Sequence, residues 1–239
     1  TRRVRFGDVH PGGTARLDAL STYLQDVSSD DTADVGLAAD LVWVVRRTVF
    51  EVRVAARFLE SLALSTWCAG LGSHWAERRV SMRGDRGAAI EASVLWVCVD
   101  YETARAVALP AEFLAHYAAT AAGRKVSARL HHRVRPAVED ADAGSLRRMP
   151  WPLRVGDFDL FDHVNNTVAW AMVEEAMGDR NRRTSYRAEI EYRVPVERGC
   201  VLELQIVDGA DGELNLWAVG HGEDQPMPFT TARLQPLAG

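Results

Sequence analysis

Apolar positions change period several times along this chain, and each change marks an element. After Thr14, Leu17, Leu20, Leu24 and Val27 recur at helical spacing, which predicts a helix from Ala15 with Thr14 as its N-cap. The acidic stretch at residues 28–34 reads as the solvated end of that helix, and residues 4–6 as a short strand before it. Residues 42–54 carry Val42, Val44, Val45, Val49, Val52 and Val54, a β-branched set that predicts a long strand. Further strands follow at 62–71, 74–82 and 89–101, with Gly84-Asp85-Arg86-Gly87 as a tight turn. Residues 110–122 read as a helix with Pro110 at its first position.

The outline then repeats. Residues 152–155 read as a strand, an Asp-bearing loop follows, and 167–177 is a helix. Strands are predicted at 187–194, 201–207, 214–219 and 228–234. Two copies of one supersecondary unit in tandem are the simplest account. The division is 1–122, a charged linker at 123–149, and 150–239. One helix per four or five strands gives an α+β architecture in which a curved antiparallel sheet wraps each central helix. The run from Thr167 to Val173 carries no charge, so its helix belongs inside such a wrap.

Composition narrows the field. The 239 residues are 47% apolar and 26% charged with net charge −5, ordinary for a globular protein and no footprint for nucleic acid. No apolar run is long enough to span a bilayer, and Thr1-Arg2-Arg3-Val4-Arg5-Phe6 lacks a signal-peptide core, so a cytoplasmic protein is expected. Cys68, Cys98 and Cys200 lie in strand-like runs without CxxC spacing, which reads as a reducing compartment and no structural metal.

Chemistry concentrates in Asp157-Phe158-Asp159-Leu160-Phe161-Asp162-His163-Val164-Asn165-Asn166, immediately ahead of the uncharged helix. Asn165 or Asn166 suits the N-cap, and the first helical N–H groups, at Thr167 and Val168, would polarise a carbonyl and stabilise an oxyanion. Asp159 and His163 feed that helix end.

These residues resemble the acyl-ACP thioesterases of plants and bacteria. The resemblance is carried by Thr14-Ala15-Arg16-Leu17, by Leu41-Val42-Trp43-Val44-Val45-Arg46-Arg47 and by Leu64-Ser65-Thr66-Trp67 with Gly70-Leu71-Gly72. It extends through Ser93-Val94-Leu95-Trp96-Val97 and Pro110-Ala111-Glu112 to Asp159 with His163-Val164-Asn165-Asn166, and to Glu191-Tyr192-Arg193. It implies a double hotdog that hydrolyses fatty acyl-ACP thioesters without a cofactor or metal, with acyl carrier protein and its acyl-pantetheine arm as partner. A homodimer through sheet edges is an expectation by analogy.

The family's site uses an Asp and a His of this loop, matched by Asp159 and His163. It also uses an Asn between them, where this chain has Phe161, and a Glu-Cys pair, where ungapped counting reaches Pro195 and Val196. Glu197, the nearest acid to that pair, is the catalytic candidate for the Glu's role, with Asp159 as the alternative. The first half has Asp8 and His10 but reads Gly12-Gly13-Thr14 in place of HVNN, so one active site is expected, with the first half shaping the acyl tunnel. Asp159 is then the base on water or attacks directly, Asn165 and Asn166 hold the loop, and Trp170, Met172 and Val173 line the acyl channel. An acyl-CoA thioesterase and a non-catalytic acyl-binding or regulatory hotdog protein are the alternative readings. Arg180, Arg182 and Arg183 are the candidate dock for an acidic carrier. Reversing the charge at Arg182 and Arg183 is expected to raise KM for carrier-bound substrate more than for the CoA thioester; equal effects on both would remove the docking role.

Overall fold

The computed structural model describes residues 1–37, 42–100, 102–103, 105–137, 145–178, 185–209, 212–220 and 228–237. Within them ten strands form one antiparallel sheet. The first half contributes β1 (Arg2–Arg3), β2 (Val42–Val54), β3 (Ser61–Leu71), β4 (Trp75–Gly84) and β5 (Ala89–Val99). The second contributes β6 (Leu146–Trp151), β7 (Tyr186–Tyr192), β8 (Leu202–Asp208), β9 (Leu214–Gly220) and β10 (Pro228–Pro236). The order β1-β3-β4-β5-β2-β7-β10-β9-β8-β6 is two five-stranded blocks joined at β2 and β7. Their register runs from Arg47↔Glu191 through Val49↔Glu189 to Val52↔Tyr186, and the blocks are related by a pseudo-twofold axis near the Val49–Glu189 pair.

Helix α1 (Leu17–Asp34) and helix α3 (Asn166–Met177) pack on each other against one face of the sheet. Being related by that axis, they run antiparallel. Leu17, Leu20 and Leu24 of α1 share one core with Trp170, Met172 and Val173 of α3. Trp170 is fully buried, edge-on to Phe50 at 4.9 Å. The third helix, α2 (Ala111–Ala121), packs on β3 through Phe113 and Tyr117. This is the double hotdog expected from the sequence. Among the described residues no helix is long and apolar enough to cross a membrane.

Local expectations needed correction where a tertiary partner intervenes. The acidic stretch does not end α1, which runs to Asp34. Ser28 and Thr32 donate to the carbonyls of Leu24 and Ser28, while Asp31 is held by Arg78 and Tyr117. Thr14 is not the N-cap; Arg16 is, and the Thr14 hydroxyl meets His10 Nε2 instead. The strand expected at 4–6 is β1, with a 3-10 turn at Phe6–Asp8. The strand expected at 152–155 is β6, drawn from the linker to pair with β8, and Val155–Asp157 is a 3-10 turn. Pro110 stands at the N-cap of α2 rather than inside it.

The rest of the linker is a strap. Side chains alternate across a strand, so Ile190 and Leu216 face the core while Glu191 and Trp217 face the other side. There the chain from β3 to β9 is latched. Trp75 Nε1 donates to the Val126 carbonyl at 2.9 Å, and Trp217 Nε1 to that of Arg133 at 2.8 Å. Between them the His131 and His132 N–H groups donate to Glu191, whose side chain is 0% exposed and pairs with Arg193 at 2.8 Å. Glu191→Gln leaves Arg193 a buried cation without its counter-ion and is expected to cost about 3 kcal/mol of unfolding free energy. The measurement is a lower urea midpoint at unchanged slope. A loss below about 1 kcal/mol, the range of a surface pair, would mean that the strap is held elsewhere.

Candidate active site

The loop ahead of α3 is built bond for bond like the loop ahead of α1. The Asp157 carboxylate accepts from the Arg154 N–H at 2.8 Å, and Asp8 accepts from Arg5 at 2.6 Å. Asp159 N–H donates to the His163 carbonyl at 2.8 Å, as His10 N–H does to Thr14 at 3.1 Å. Asn165 N–H reaches the Asp157 carbonyl and Arg16 N–H that of Asp8, both at 2.8 Å. The positive-φ corner is Asp162 (φ 60) in one loop and Gly13 (φ 79) in the other; a short polar side chain tolerates that region better than other non-glycine residues do. These bonds pair Thr14-Ala15-Arg16-Leu17 with His163-Val164-Asn165-Asn166. They correct the alignment that set Gly12-Gly13-Thr14 against HVNN. They also pair His10 with Asp159: His10 Nδ1 accepts from Gly12 N–H at 2.8 Å, and Asp159 Oδ1 from Phe161 N–H at 2.9 Å.

The two acids of the loop therefore have different work. Asp157 is buried, paired with Arg154, and holds the turn. Asp159 is half-buried. Its Oδ1 also takes the His163 N–H at 3.3 Å, while Oδ2 bonds no described residue. The His163 ring, half-buried beside it, likewise bonds no described residue. Glu197 pairs with His163 through the backbone, but its side chain is exposed. Val196 lies buried next to it, with its carbonyl accepting the Val164 N–H at 2.9 Å. Arg198 pairs with Asp162 and stacks over Phe158, 4.5 Å from the ring centre. Cys200 is half-buried against the core, with its thiol free.

At the helix mouth Asn165 is the N-cap. Its Oδ1 accepts from both Thr167 N–H and Thr167 Oγ1 at 2.9 Å, and its carbonyl accepts from Val168 N–H at 2.9 Å. The donors expected at Thr167 and Val168 are thus already spent on Asn165, and the adjoining donor that Asn165 does not consume is the Asn166 N–H. Tyr192, its phenol pushed up by burial, donates to the Asn166 carbonyl at 3.1 Å and fixes that first residue.

The twin mouth shows what can face such a donor. Glu174 is 7% exposed, and its Oε1 accepts from Leu17 N–H, the counterpart of Asn166 N–H, at 2.7 Å. Glu174 follows Asn166 by eight residues, and Gln25 follows Leu17 by eight (174 − 166 and 25 − 17). Gln25, a half-buried amide, is therefore the residue of α1 that matches Glu174 in position under the pseudo-twofold. Sequence reading passed over Gln25 because its relevance depends on the pairing of α1 with α3. The matched spacing from the two helix starts is the signal that could have found it.

Trp170, Met172 and Val173 were expected to line an acyl channel. They are core residues, each at most 2% exposed, and none lines either of the two cavities described here. One cavity, of about 530 Å³, lies at the first-half loop between His10, Arg16, Trp151 and Glu174. The other, of about 470 Å³, lies within the first half between the C-terminal half of α1, α2 and the sheet, among Ser28, Thr32, Leu37, Trp43, Trp96 and Phe113. Arg180, Arg182 and Arg183 lie outside the described residues. Among the described residues one trio has donors close enough to hold a metal, His132, Glu189 and Glu191, within 4.8 Å of one another. Arg187 and Arg193 already pair with the two carboxylates, and burial holds His132 below the usual imidazole range. That trio belongs to the strap, on the face opposite the helices.

Comparison with known proteins agrees with this architecture. The chain is 31% identical to an uncharacterised protein of Mycobacterium tuberculosis over 82% of its own length and 77% of the relative's. It is 23% identical to a chloroplastic acyl-[acyl-carrier-protein] hydrolase of Cuphea viscosissima over 84% of its length, spanning about half (52%) of that protein. A 12:0-ACP thioesterase from Umbellularia californica superposes with a TM-score of 0.75 at 20% identity, covering 99% of this chain and 96% of that one. An acyl-ACP thioesterase from Bacteroides thetaiotaomicron gives 0.79 at 14% identity, with the same coverage. Residues 2–117 match the acyl-ACP thioesterase N-terminal domain and residues 141–222 the C-terminal domain, and the chain belongs to the acyl-ACP thioesterase family.

Proposed function

We propose that the protein hydrolyses fatty acyl thioesters presented by acyl carrier protein, at one site, the mouth of α3. The observation that carries the reading is the difference between the two mouths. A helix N-terminus offers N–H donors and positive partial charge to an oxyanion. At α1 that donor is filled by the Glu174 carboxylate. At α3 the counterpart position holds the neutral Gln25, and beside it stand Asp159, with one uncommitted carboxylate oxygen, and His163.

The thioester carbonyl docks on the Asn166 N–H, with the Gln25 amide as second donor. Asp159 Oδ2 takes a proton from water as the water attacks the carbonyl carbon, and His163 shares the proton. The tetrahedral oxyanion collapses, the C–S bond breaks, and the leaving thiolate takes the proton back from Asp159 and His163, so that the carrier departs as its thiol and the acid is the second product. Asn165 caps the first turn through Thr167 and Val168 and keeps the loop closed. Glu197 acts through its backbone pairing with His163. The antiparallel helices place Gln25 level with Asn166, so Ser28 and Thr32 lie beyond the mouth. The 470 Å³ cavity they line is the natural course of the acyl chain. Phe161, Pro195 and Val196, where the family has Asn, Glu and Cys, favour the second reading, an acyl-binding hotdog protein without turnover.

Asp159→Asn keeps the Oδ1 acceptor of the loop but removes the base. It is expected to lower kcat at least about 100-fold with an unchanged melting curve. Gln25→Leu is expected to lower kcat by about 100-fold, the scale of one lost oxyanion donor, with little effect on KM. Both are measured across acyl-ACP and acyl-CoA substrates of several chain lengths. Equal turnover by wild type and Asp159→Asn would reject the assignment of the base. No turnover of any thioester by the wild type would leave the binding reading.

A further inference from the structure

We infer that the acyl cavity of the first half takes a chain bearing a neutral oxygen function, a hydroxyl or a ketone, well away from the thioester. The inference rests on the thioesterase reading for the course of the chain. Its own evidence is the wall of the cavity.

That wall is apolar at Leu37, Trp43, Trp96 and Phe113, but Arg78 also lines it, as does Glu77, whose carboxylate is already paired with Arg79 and Arg124. Arg78 reaches in from β4 and is only 7% exposed. Its NH1 donates to Asp31 Oδ2 at 2.5 Å and to Thr66 Oγ1 at 3.3 Å, and its guanidinium lies over the Tyr117 ring, 5.1 Å from the centre. A guanidinium carries five N–H groups. Beyond Asp31, Thr66 and an interaction with the Tyr117 hydroxyl, its remaining N–H groups have no acceptor among the described residues and are open to the cavity. A hydrocarbon chain packed against them strips them of water and returns nothing.

The chemistry of the missing acceptor follows from the charges. Asp31 already neutralises Arg78, and its carboxylate is further held by the Tyr117 hydroxyl at 2.7 Å. A second carboxylate would face Asp31 across a half-dry pocket. A neutral oxygen accepts from the spare guanidinium N–H groups without adding charge. The position follows from α1. Gln25 is level with the helix mouth, and Asp31 stands six residues on (31 − 25), about 9 Å at 1.5 Å per residue. An oxygen on the third carbon of the acyl chain falls short of that distance, whereas one near the end of a medium-length chain reaches it.

The test compares pantetheine thioesters of decanoate, of its penultimate-carbon hydroxy and oxo derivatives, and of 3-hydroxydecanoate. The non-hydrolysable pantetheine amides of the same acids are titrated by calorimetry. Wild type is expected to favour the penultimate-oxygenated chains over plain decanoyl at least about ten-fold in kcat/KM, with 3-hydroxydecanoyl no better than decanoyl. Arg78→Met combined with Asp31→Asn, which leaves no lone buried charge, is expected to erase the preference, chiefly through KM. Equal or better use of plain decanoyl by wild type overturns the inference while leaving the thioesterase reading intact. Should no thioester turn over, that reading fails, and the amides still decide: tighter binding of the oxygenated chains supports the inference, and equal binding overturns it. A double variant that does not fold leaves the wild-type comparison decisive.

Discussion

The structure depends on the antiparallel seam between β2 and β7. Six residue pairs, from Arg47↔Glu191 to Val52↔Tyr186, turn two five-stranded blocks into one sheet and set their pseudo-twofold axis. Every contact between the halves inherits that axis. It makes α1 and α3 antiparallel, buries Trp170 against Phe50, and places each helix start against the middle of the other helix. The strap on the far face crosses the same seam and is pinned next to it by Glu191.

A twofold would ordinarily give two equal mouths. Here their backbones stay equal to within a few tenths of an ångström in hydrogen-bond length, while the side chains diverge. His10 stands for Asp159, Thr14 for His163, and Glu174, which faces Leu17, has Gln25 as its counterpart in position. The carboxylate at the α1 mouth accepts from the first helical N–H and so stabilises the helix start. The twin loop shows that this backbone conformation is stable without Asp159 and His163.

Polar groups buried in the first half have two kinds of company. Ser28 and Thr32 turn back on their own helix, and Glu60, 1% exposed, accepts N–H groups from Arg57, Arg86 and Ala88. These are satisfied and serve the fold. Arg78 is anchored by Asp31, Thr66 and Tyr117, with its remaining donors open to a cavity. Covering such donors with an apolar group is costly, which favours an occupant that can accept from them.

Periodicity alone specified β2 at its exact bounds, the two later helices to within a residue and the first half of α1, because period 2 and period 3.6 are properties of neighbouring residues. The capping role of Asn165 and the crowding of Asp159 and His163 at a helix mouth were legible for the same reason, since Asx turns and caps span only a few residues. Tertiary structure alone decided that residues 28–34 stay helical, held through Asp31 by Arg78 and Tyr117. It decided that Trp170, Met172 and Val173 are core. It also brought Glu174 to the α1 mouth. Each of these turns on which residue of a distant element arrives, and spacing within one element does not name the partner that the shared sheet brings into reach.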